Sequence, residues 1–279
     1  MTIKNLYVSD LDGTLLNSDK EISQYTKDTL NALISNGMHF SVATARTAAS
    51  AVKILSGVNI NVPVVLMNGV VIYDIQKEEY IKTEIISEHT ANAIINVLKE
   101  HNITGFMYAV FDNKLVTYYE SLNTIALQDF HNERVMKYYK SFEKTDCFLN
   151  ITTNNKIIYF TLIDEQKPLS TIFNALKKLP DIDMVLYKDI YAEDLWYLEV
   201  YGKNASKYNA VKFIRDYCSF DRIIGFGDNL NDIPLFEACD ECYAVSNAVE
   251  QLKEKATGII GTNDSDGVAR FIAGREEIL

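Results

Sequence analysis

Residues 6–14, Leu-Tyr-Val-Ser-Asp-Leu-Asp-Gly-Thr, join a short apolar run to an acidic loop. The run is typical of a buried parallel strand, and the polar residues after it mark the carboxyl end of that strand. Ligands of open α/β sheets bind beyond such strand ends. Asp10 and Asp12 are therefore candidates to share a divalent cation while one of them attacks an electrophile. An acidic β-turn with a capping role is the alternative interpretation of this loop.

Strands and helices alternate on either side of a long central stretch. Before that stretch, residues 40–43 and 62–67 are predicted strands, each followed by polar residues. After it, a helix with Ser206 as its N-cap is followed by strands at 223–226 and 243–245. Short strands that alternate with helices predict an α/β fold with a doubly wound parallel sheet.

The central stretch follows a different pattern. A helix capped by Ser87 precedes strands at 105–111 and 115–119, whose short separation predicts a β-hairpin. A doubly wound sheet rarely contains a hairpin internally, and further helices, including one at 122–140, alternate with more strands. We therefore predict an inserted α+β domain. The predicted boundaries are 84–203 for this inserted domain, and 1–83 with 204–279 for the domain that contains the parallel sheet.

Composition and charge narrow the range of partners. The 279-residue chain carries 38 acidic and 27 basic residues, and its formal net charge of −11 argues against nucleic acid as a partner. No apolar run reaches the ~18 residues of a membrane helix, and the amino terminus lacks a signal-peptide layout. Four cysteines, with Cys239 and Cys242 as a lone Cys-x-x-Cys pair, indicate neither a disulfide scaffold nor a zinc site. We expect a cytoplasmic protein.

Three further segments place polar residues at predicted strand ends or helix starts. They are SVATAR with Thr44, ASKYNAV with Lys207, and GFGDNLNDIPLF with Asp228 and Asp232. Taken singly, these residues have ordinary interpretations: a helix N-cap, a solvated lysine, and acids that complement a helix dipole. The i, i+4 spacing predicts that Asp228 and Asp232 lie on one side of a first helical turn. With Asp10 they form three converging carboxylates, whose repulsion a bound Mg²⁺ would offset.

The ordered set of DLDGT, Thr44, Lys207 and the acidic pair resembles the four motifs of the haloacid dehalogenase-like phosphatase superfamily. The segments AVSNAVEQLKEKA and TNDSDGVARFI are similar to the tail of its Cof-type branch. That branch carries its cap domain between the second and third motifs, where the insertion is predicted here. The resemblance therefore implies a catalytic core at 1–83 with 204–279 and a cap at 84–203 that selects the substrate. The resemblance implies Mg²⁺-dependent hydrolysis of small phosphomonoesters such as sugar phosphates, pyridoxal phosphate or flavin mononucleotide.

The resemblance also implies a role for each matching residue. Asp10 would attack phosphorus and form an aspartyl-phosphate, while Asp12 protonates the leaving oxygen and later activates water. The implied metal ligands are the carboxylates of Asp10 and Asp228 and the backbone carbonyl of Asp12, and Asp232 would hold a metal-bound water. The implied phosphate-binding residues are Thr44, Ala45, Lys207 and Asn231.

Two residues depart from the usual pattern of the branch. Ala45 and Tyr208 stand where glycines are usual. Ala45 adds no strain if the loop keeps a negative φ at that position. Because neither change removes a catalytic group, we expect them to affect the rate and the shape of the pocket.

Two other functions use a similar set of residues. A phosphomutase returns the phosphoryl group to its substrate, so it would isomerise a sugar phosphate without releasing phosphate. A non-catalytic phospho-acceptor module, like the receiver of a response regulator, also pairs an acidic Mg²⁺ site with Thr and Lys. That module would show a long-lived phosphoryl group on Asp10.

Overall fold

The structure is a computed structural model that describes residues 3–138, 140–189 and 194–276. The chain forms two compact units. We call Met1–Lys82 with Ser206–Leu279 the core unit, and Thr83–Ala205 the inserted unit. The catalytic and substrate-selecting roles expected of these parts of the chain stay predictions.

The first segment of the core unit alternates strands and helices and then ends in a hairpin. Its elements are β1 (Asn5–Ser9), α1 (Gln24–Ser35), β2 (His39–Val42), α2 (Ala48–Ile54), β3 (Val64–Leu66), β4 (Val71–Asp74) and β5 (Glu79–Thr83). Two short turns, Leu11–Leu15 and Met67–Gly69, follow β1 and β3.

The inserted unit is an α+β assembly. Its elements are α3 (Glu88–Glu100), β6 (Gly105–Phe111), β7 (Lys114–Tyr119), α4 (Ile125–Tyr138), β8 (Phe142–Lys144), α5 (Leu149–Thr152), β9 (Lys156–Asp164), α6 (Gln166–Leu176), β10 (Ile182–Lys188) and β11 (Trp196–Gly202). The strands form one sheet in the order β10-β11-β9-β6-β7-β8, in which only the β7–β8 pair is parallel. Buried Leu98 of α3 and Leu169 of α6 join Met107, Phe160 and Leu198 of the sheet in one apolar core.

Two local predictions for the inserted unit are confirmed. The Ser87 hydroxyl accepts a hydrogen bond from the Thr90 N–H at 3.2 Å and caps α3. Strands β6 and β7 pair as a hairpin. Asp112 and Asn113 between them have φ of +47° and +58°, the left-handed pair that a two-residue hairpin turn requires. The predicted helix 122–140 is observed as α4, and Tyr139 lies outside the described residues.

The second segment of the core unit completes the parallel sheet. Its elements are α7 (Lys207–Cys218), β12 (Arg222–Gly227), α8 (Ile233–Ala238), β13 (Glu241–Val245), α9 (Glu250–Lys253), β14 (Gly258–Ile260) and α10 (Gly267–Glu276). The strand order β14-β13-β12-β1-β2 is parallel throughout, with α1 packed on α10 and α7 packed on α8. The fold is therefore the predicted doubly wound α/β sheet with an inserted α+β unit. From β1 the chain adds β2 on one side of the sheet, and later adds β12, β13 and β14 on the other side. The position between β12 and β1 is therefore the topological switch point, where open α/β sheets bind ligands.

The strand predicted at 62–67 is observed as β3, over the shorter range Val64–Leu66. It meets the parallel sheet through a parallel bridge between Ala43 and Val65. It also begins a three-stranded sheet in the order β3-β4-β5, because left-handed residues in the turn after β3 send the chain straight back as β4 instead of into a helix.

No helix within the described residues combines the length and the apolar character needed to cross a bilayer.

Candidate active site

Three strand ends meet at one edge of the core sheet. Strand β1 lies between β12 and β2, and its last residue, Ser9, is level with Phe226 of β12. Asp10 follows at once, and its N–H donates to the Phe226 carbonyl at 2.9 Å. Because parallel strands end at the same edge, Asp10, Asp228 and the loop of Thr44 occupy neighbouring positions.

Lys207 joins two of the predicted acidic residues. Its Nζ donates to Asp10 Oδ1 at 2.6 Å and to Asp232 Oδ1 at 2.7 Å, and all three side chains are buried. Lys207 opens α7 as predicted, and Ser206 caps that helix by accepting a hydrogen bond from the Asn209 N–H at 3.0 Å. The ammonium is therefore held by two charge-assisted hydrogen bonds, and its helix start is fixed by a cap.

Asp228 and Asp232 do not share a helical turn, so that prediction was wrong. Asp228 directly follows β12, whereas Asp232 closes the short turn Leu230–Asp232 that precedes α8. Oδ2 of Asp232 accepts from the backbone N–H of Asp228 at 3.0 Å and of Asn229 at 3.1 Å. The physical reason is a capping box, in which Asn229 is the N-cap of the turn and the Asp232 carboxylate accepts from the Asn229 N–H. Protein donors thus engage both oxygens of Asp232.

The turn after β1 lies close to the Asp228 carboxylate. Thr14 Oγ1 donates to Asp228 Oδ1 at 2.8 Å. Gly13 has φ +77°, and a Cβ there would lie 2.5 Å from Asp228 Oδ2. Glycine is therefore needed at this position both for the left-handed backbone and for the close approach of the Asp228 carboxylate.

The three buried or partly buried carboxylates lie close together. Asp10, Asp228 and Asp232 offer oxygens that all lie within 4.8 Å of one another. Burial raises the pKa of Asp10 well above its ordinary value; Lys207 opposes this shift, and the charge of Asp232 adds to it. Burial also raises the pKa of Asp228 to about 6, against the hydrogen bond from Thr14. One lysine among three carboxylates leaves this group short of positive charge, and its hard oxygen donors fit a divalent cation.

Asp12 lies outside this carboxylate group. Its side chain is 48% exposed and accepts two hydrogen bonds from Arg46. Arg46 Nε donates to Asp12 Oδ2 at 2.7 Å, and Nη2 donates to Oδ1 at 2.5 Å. This is the bidentate geometry that makes arginine–carboxylate pairs strong. An acid–base role for Asp12 therefore requires the pair to open.

The Thr44 loop presents a hydroxyl and a backbone donor. Thr44 is buried, and its Oγ1 accepts from the Arg46 N–H at 3.2 Å, which leaves the hydroxyl hydrogen available to donate. Ala45 is exposed, and its N–H has no hydrogen-bond partner within the described part of the chain. Ala45 keeps a negative φ, so its methyl adds no backbone strain. Helix α2 begins only at Ala48, so Thr44 is not its N-cap.

Two further positions named from the sequence lie near the same edge. Asn231 is exposed in the short turn Leu230–Asp232. The Tyr208 hydroxyl accepts from Lys212 Nζ at 3.3 Å, one turn along α7. The phosphate-binding role of Asn231 stays a prediction.

Three residues make contacts in the site that the sequence did not predict: Thr14, Arg46 and Asn247. Asn247 Nδ2 donates to the Gly13 carbonyl at 2.8 Å, and its Oδ1 accepts from the Asn263 N–H at 3.1 Å. Thr14 ends the DLDGT motif and Arg46 ends the SVATAR segment, and those positions were a usable signal. The contact of Asn247 joins distant parts of the chain, and no local pattern points to it.

A carboxylate cluster beside a buried lysine, placed at the switch point of a doubly wound sheet, is typical of α/β enzymes and could hold a divalent cation. A model of one family, described as haloacid dehalogenase-like hydrolase, matches residues 7–272. The chain belongs to the haloacid dehalogenase-like hydrolase family, and the resemblance found in its motifs is confirmed.

The chain is similar to named phosphatases over nearly its whole length. It is 25% identical to the 5-amino-6-(5-phospho-D-ribitylamino)uracil phosphatase YitU of Bacillus subtilis, over 96% of each chain. It is 24% identical to the pyridoxal phosphate phosphatase YbhA of Escherichia coli, over 94% of this chain and 95% of that one. Among solved structures, TM0651 from Thermotoga maritima matches with a TM-score of 0.79 at 25% identity, over 98% of this chain and 97% of that one.

Proposed function

We propose that this protein is a Mg²⁺-dependent phosphatase that hydrolyses small phosphomonoesters through an aspartyl-phosphate on Asp10. The observation that carries the proposal is the buried cluster in which Lys207 contacts Asp10 and Asp232, with Asp228 beside them. Phosphoryl transfer needs a nucleophile and fixed positive charge at one place, and this cluster supplies both. The family match and the names of the relatives support the same reaction.

In the first half-reaction, an Asp10 carboxylate oxygen attacks phosphorus. The new O–P bond forms as the bond to the leaving alcohol oxygen breaks, and that oxygen keeps the electron pair. Asp12 supplies the proton that completes the free alcohol, after its pair with Arg46 has opened.

In the second half-reaction, Asp12 takes a proton from water. The water oxygen bonds to phosphorus, the bond between phosphorus and Asp10 breaks, and inorganic phosphate leaves. The carboxylate of Asp10 is regenerated. Asp12 ends the cycle with the proton that it needs for the next substrate, so both residues return to their starting state.

Binding of the phosphoryl group is assigned to positive charge and to hydrogen-bond donors. Asp10 and Asp228, with the Asp12 backbone carbonyl, would hold Mg²⁺, and Asp232 would hold water of its shell. When bound, the cation neutralises charge on the phosphoryl oxygens. The proposed donors to those oxygens are Thr44, Ala45, Lys207 and Asn231.

The substrate class is proposed from the relatives. Their names specify two phosphomonoesters, 5-amino-6-(5-phospho-D-ribitylamino)uracil and pyridoxal phosphate. We extend this class to sugar phosphates and flavin mononucleotide, and we assign selection of the leaving group to the inserted stretch 84–203.

The first test measures phosphate release from a panel of these esters, with Mg²⁺ and with EDTA. We expect release that depends on Mg²⁺, and the ranking within the panel identifies the leaving group. Isomerisation of a sugar phosphate without phosphate release would point to a mutase. A phosphoryl group that stays on Asp10 without turnover would point to an acceptor module.

The same assay compares Asp10→Asn with Asp19→Asn, a matched change at an exposed aspartate of the core unit. We expect Asp10→Asn to lose at least about 10⁴-fold in kcat, because the nucleophile is gone. Asp19→Asn should keep wild-type activity. Phosphate release by Asp10→Asn at the wild-type rate contradicts the proposed chemistry.

A further inference from the structure

Three consecutive residues after β3 share the left-handed backbone conformation. Met67, Asn68 and Gly69 have φ of +51°, +53° and +102°. Two of the three are not glycines, and such residues persist in this conformation only where their surroundings hold them. Strained turns of this kind concentrate at functional sites. The turn is held by the Thr44 loop on one side and by the start of α7 on the other.

On one side the turn binds the loop that carries Thr44. The Met67 N–H donates to the Arg46 carbonyl at 3.0 Å, and the Asn68 N–H donates to the Thr44 carbonyl at 2.9 Å. The Thr44 N–H donates to the Val65 carbonyl of β3 at 2.9 Å. The left-handed turn thus donates two backbone hydrogen bonds to this loop, and β3 accepts a third from it.

On the other side the turn touches the start of α7. A Cβ at Gly69 would lie 2.2 Å from the carbonyl oxygen of Ser206 and 2.3 Å from its carbonyl carbon. These are backbone atoms of a helix cap, so no side-chain rotation makes room for a methyl. Lys207 is the next residue, and the contact at Gly69 therefore limits how closely Lys207 approaches the Thr44 loop.

We propose that the Met67–Gly69 turn is a positioning element that sets the separation of the Thr44 loop from Lys207, so that both bind one phosphoryl group. This inference rests on the proposed phosphatase function. The turn acts through the backbones of Thr44 and Ser206, which it contacts, and Gly69 is the residue that permits the second contact.

Catalysis by positioned charge is sensitive to such a separation, and a misplacement of about 1 Å can lower a rate by about 10²-fold. A methyl at Gly69 has to move the turn away from Ser206 or push α7 outward. Gly37 offers a matched control, because it has φ +99° and a Cβ there would meet nothing within 4 Å. Alanine is strained at both positions, but it collides with backbone only at position 69.

The test compares Gly69→Ala with Gly37→Ala in the full chain. It measures kcat and KM on a phosphomonoester that the wild type hydrolyses, the equilibrium Kd of orthovanadate as an oxyanion probe, and Tm. We expect Gly69→Ala to lower kcat by about 10- to 100-fold and to weaken orthovanadate binding. Gly37→Ala should lower Tm while kcat and orthovanadate binding stay unchanged. Wild-type values in Gly69→Ala, or equal losses in both variants, overturn the inference.

A second pair of variants keeps the test decisive if Gly69→Ala does not fold. Asn68→Gly preserves the left-handed turn without strain, whereas the β-branched Asn68→Val opposes it. We expect kcat to survive in Asn68→Gly and to fall in Asn68→Val. Loss of kcat in Asn68→Gly would assign the role to the amide side chain and overturn the inference. Failure of the proposed function itself is distinct, because the wild type would then release no phosphate.

Discussion

Lys207 of the core unit and Lys140 of the inserted unit are both buried, at 1% and 9% exposed, yet their surroundings are opposite in charge. Lys207 donates to two carboxylates, those of Asp10 and Asp232. Lys140 Nζ lies 4.2 Å from the centroid of the Tyr108 ring, and no carboxylate pairs with it among the described residues. Lys207 therefore has carboxylate partners for its charge, whereas the contacts of Lys140 Nζ within the described residues are with aromatic rings.

The pKa values of Lys207 and Lys140 shift in opposite directions. Burial by itself would lower the pKa of Lys207, but the charges and hydrogen bonds of Asp10 and Asp232 outweigh burial and raise it. Burial lowers the pKa of Lys140 to about 7, and the charge of Arg134 adds to this shift. Partners, rather than depth, therefore decide whether a buried lysine keeps its charge. Lys207 is held ionised, and the proposed binding of a phosphoryl group requires that charge.

The substitution Lys207→Met should have the largest effect on stability. It leaves Asp10 and Asp232 buried without their cation, so we expect unfolding in urea, without Mg²⁺, to become easier by about 3–5 kcal/mol. Hydrolysis should also be lost, since the phosphoryl group loses a fixed charge. A variant as stable as the wild type would show that the carboxylates do not depend on Lys207.

Substitution of Lys140 by methionine should have the opposite effect on the free energy of unfolding. Lys140→Met replaces a group that is costly to bury by an apolar one, and we expect a gain of about 2 kcal/mol near pH 7. Urea unfolding of both methionine variants, side by side, measures the contrast. A loss of stability in Lys140→Met would mean that the contact with the Tyr108 ring outweighs the cost of burial.

The gain from Lys140→Met should shrink as pH rises and then become a loss. The pKa of this lysine is about 7 when folded and 10.5 in its ordinary state. Between these values the unfolded chain binds the proton and the native protein does not, so wild-type stability rises with pH, by at most about 1.4 kcal/mol per pH unit. The difference between wild type and variant, followed from pH 7 to pH 10, checks this. A difference that is constant with pH contradicts the assigned shift.

Binding of Mg²⁺ should produce the smallest effect. Because the cation offsets the repulsion among Asp10, Asp228 and Asp232, it should raise Tm, with a gain of about 1 kcal/mol at a few times its Kd. Asp228→Asn should reduce this shift, and Asp19→Asn should leave it intact. An equal Mg²⁺ shift in wild type and Asp228→Asn would place the cation elsewhere.

Local patterns were enough to predict the placement of Asp10 and Lys207. An apolar run followed by acids identified the end of β1, and a serine before the lysine identified the start of α7. Both features arise within a few residues of chain, so one sequence contains the information. The doubly wound sheet followed from the same alternation of elements.

Other features depend on competition between two local structures or on contacts between residues far apart in the chain. The spacing of Asp228 and Asp232 fits a helix, but the capping box of Asn229 with Asp232 stabilises the short turn Leu230–Asp232 instead. The pair of Arg46 with Asp12 joins residues 34 apart. No pattern within one segment indicates such a partner.

The left-handed turn at Met67–Gly69 was also beyond local patterns. Asn-Gly signals a turn, but not its three left-handed residues or its contact with Ser206. That contact exists only after α7 has packed against this part of the core unit.

The most direct test of the central claim asks whether Asp10 carries the phosphoryl group. Asp12→Asn keeps Asp10 and Lys207 but lacks the group proposed to activate water. An aryl phosphate, whose leaving group needs no proton, should therefore phosphorylate this variant and leave it phosphorylated. After an acid quench and digestion, mass spectrometry should find the phosphoryl group on the peptide that contains Asp10. A phosphoryl group on another residue, or continued phosphate release with no phosphorylated protein, would contradict the account.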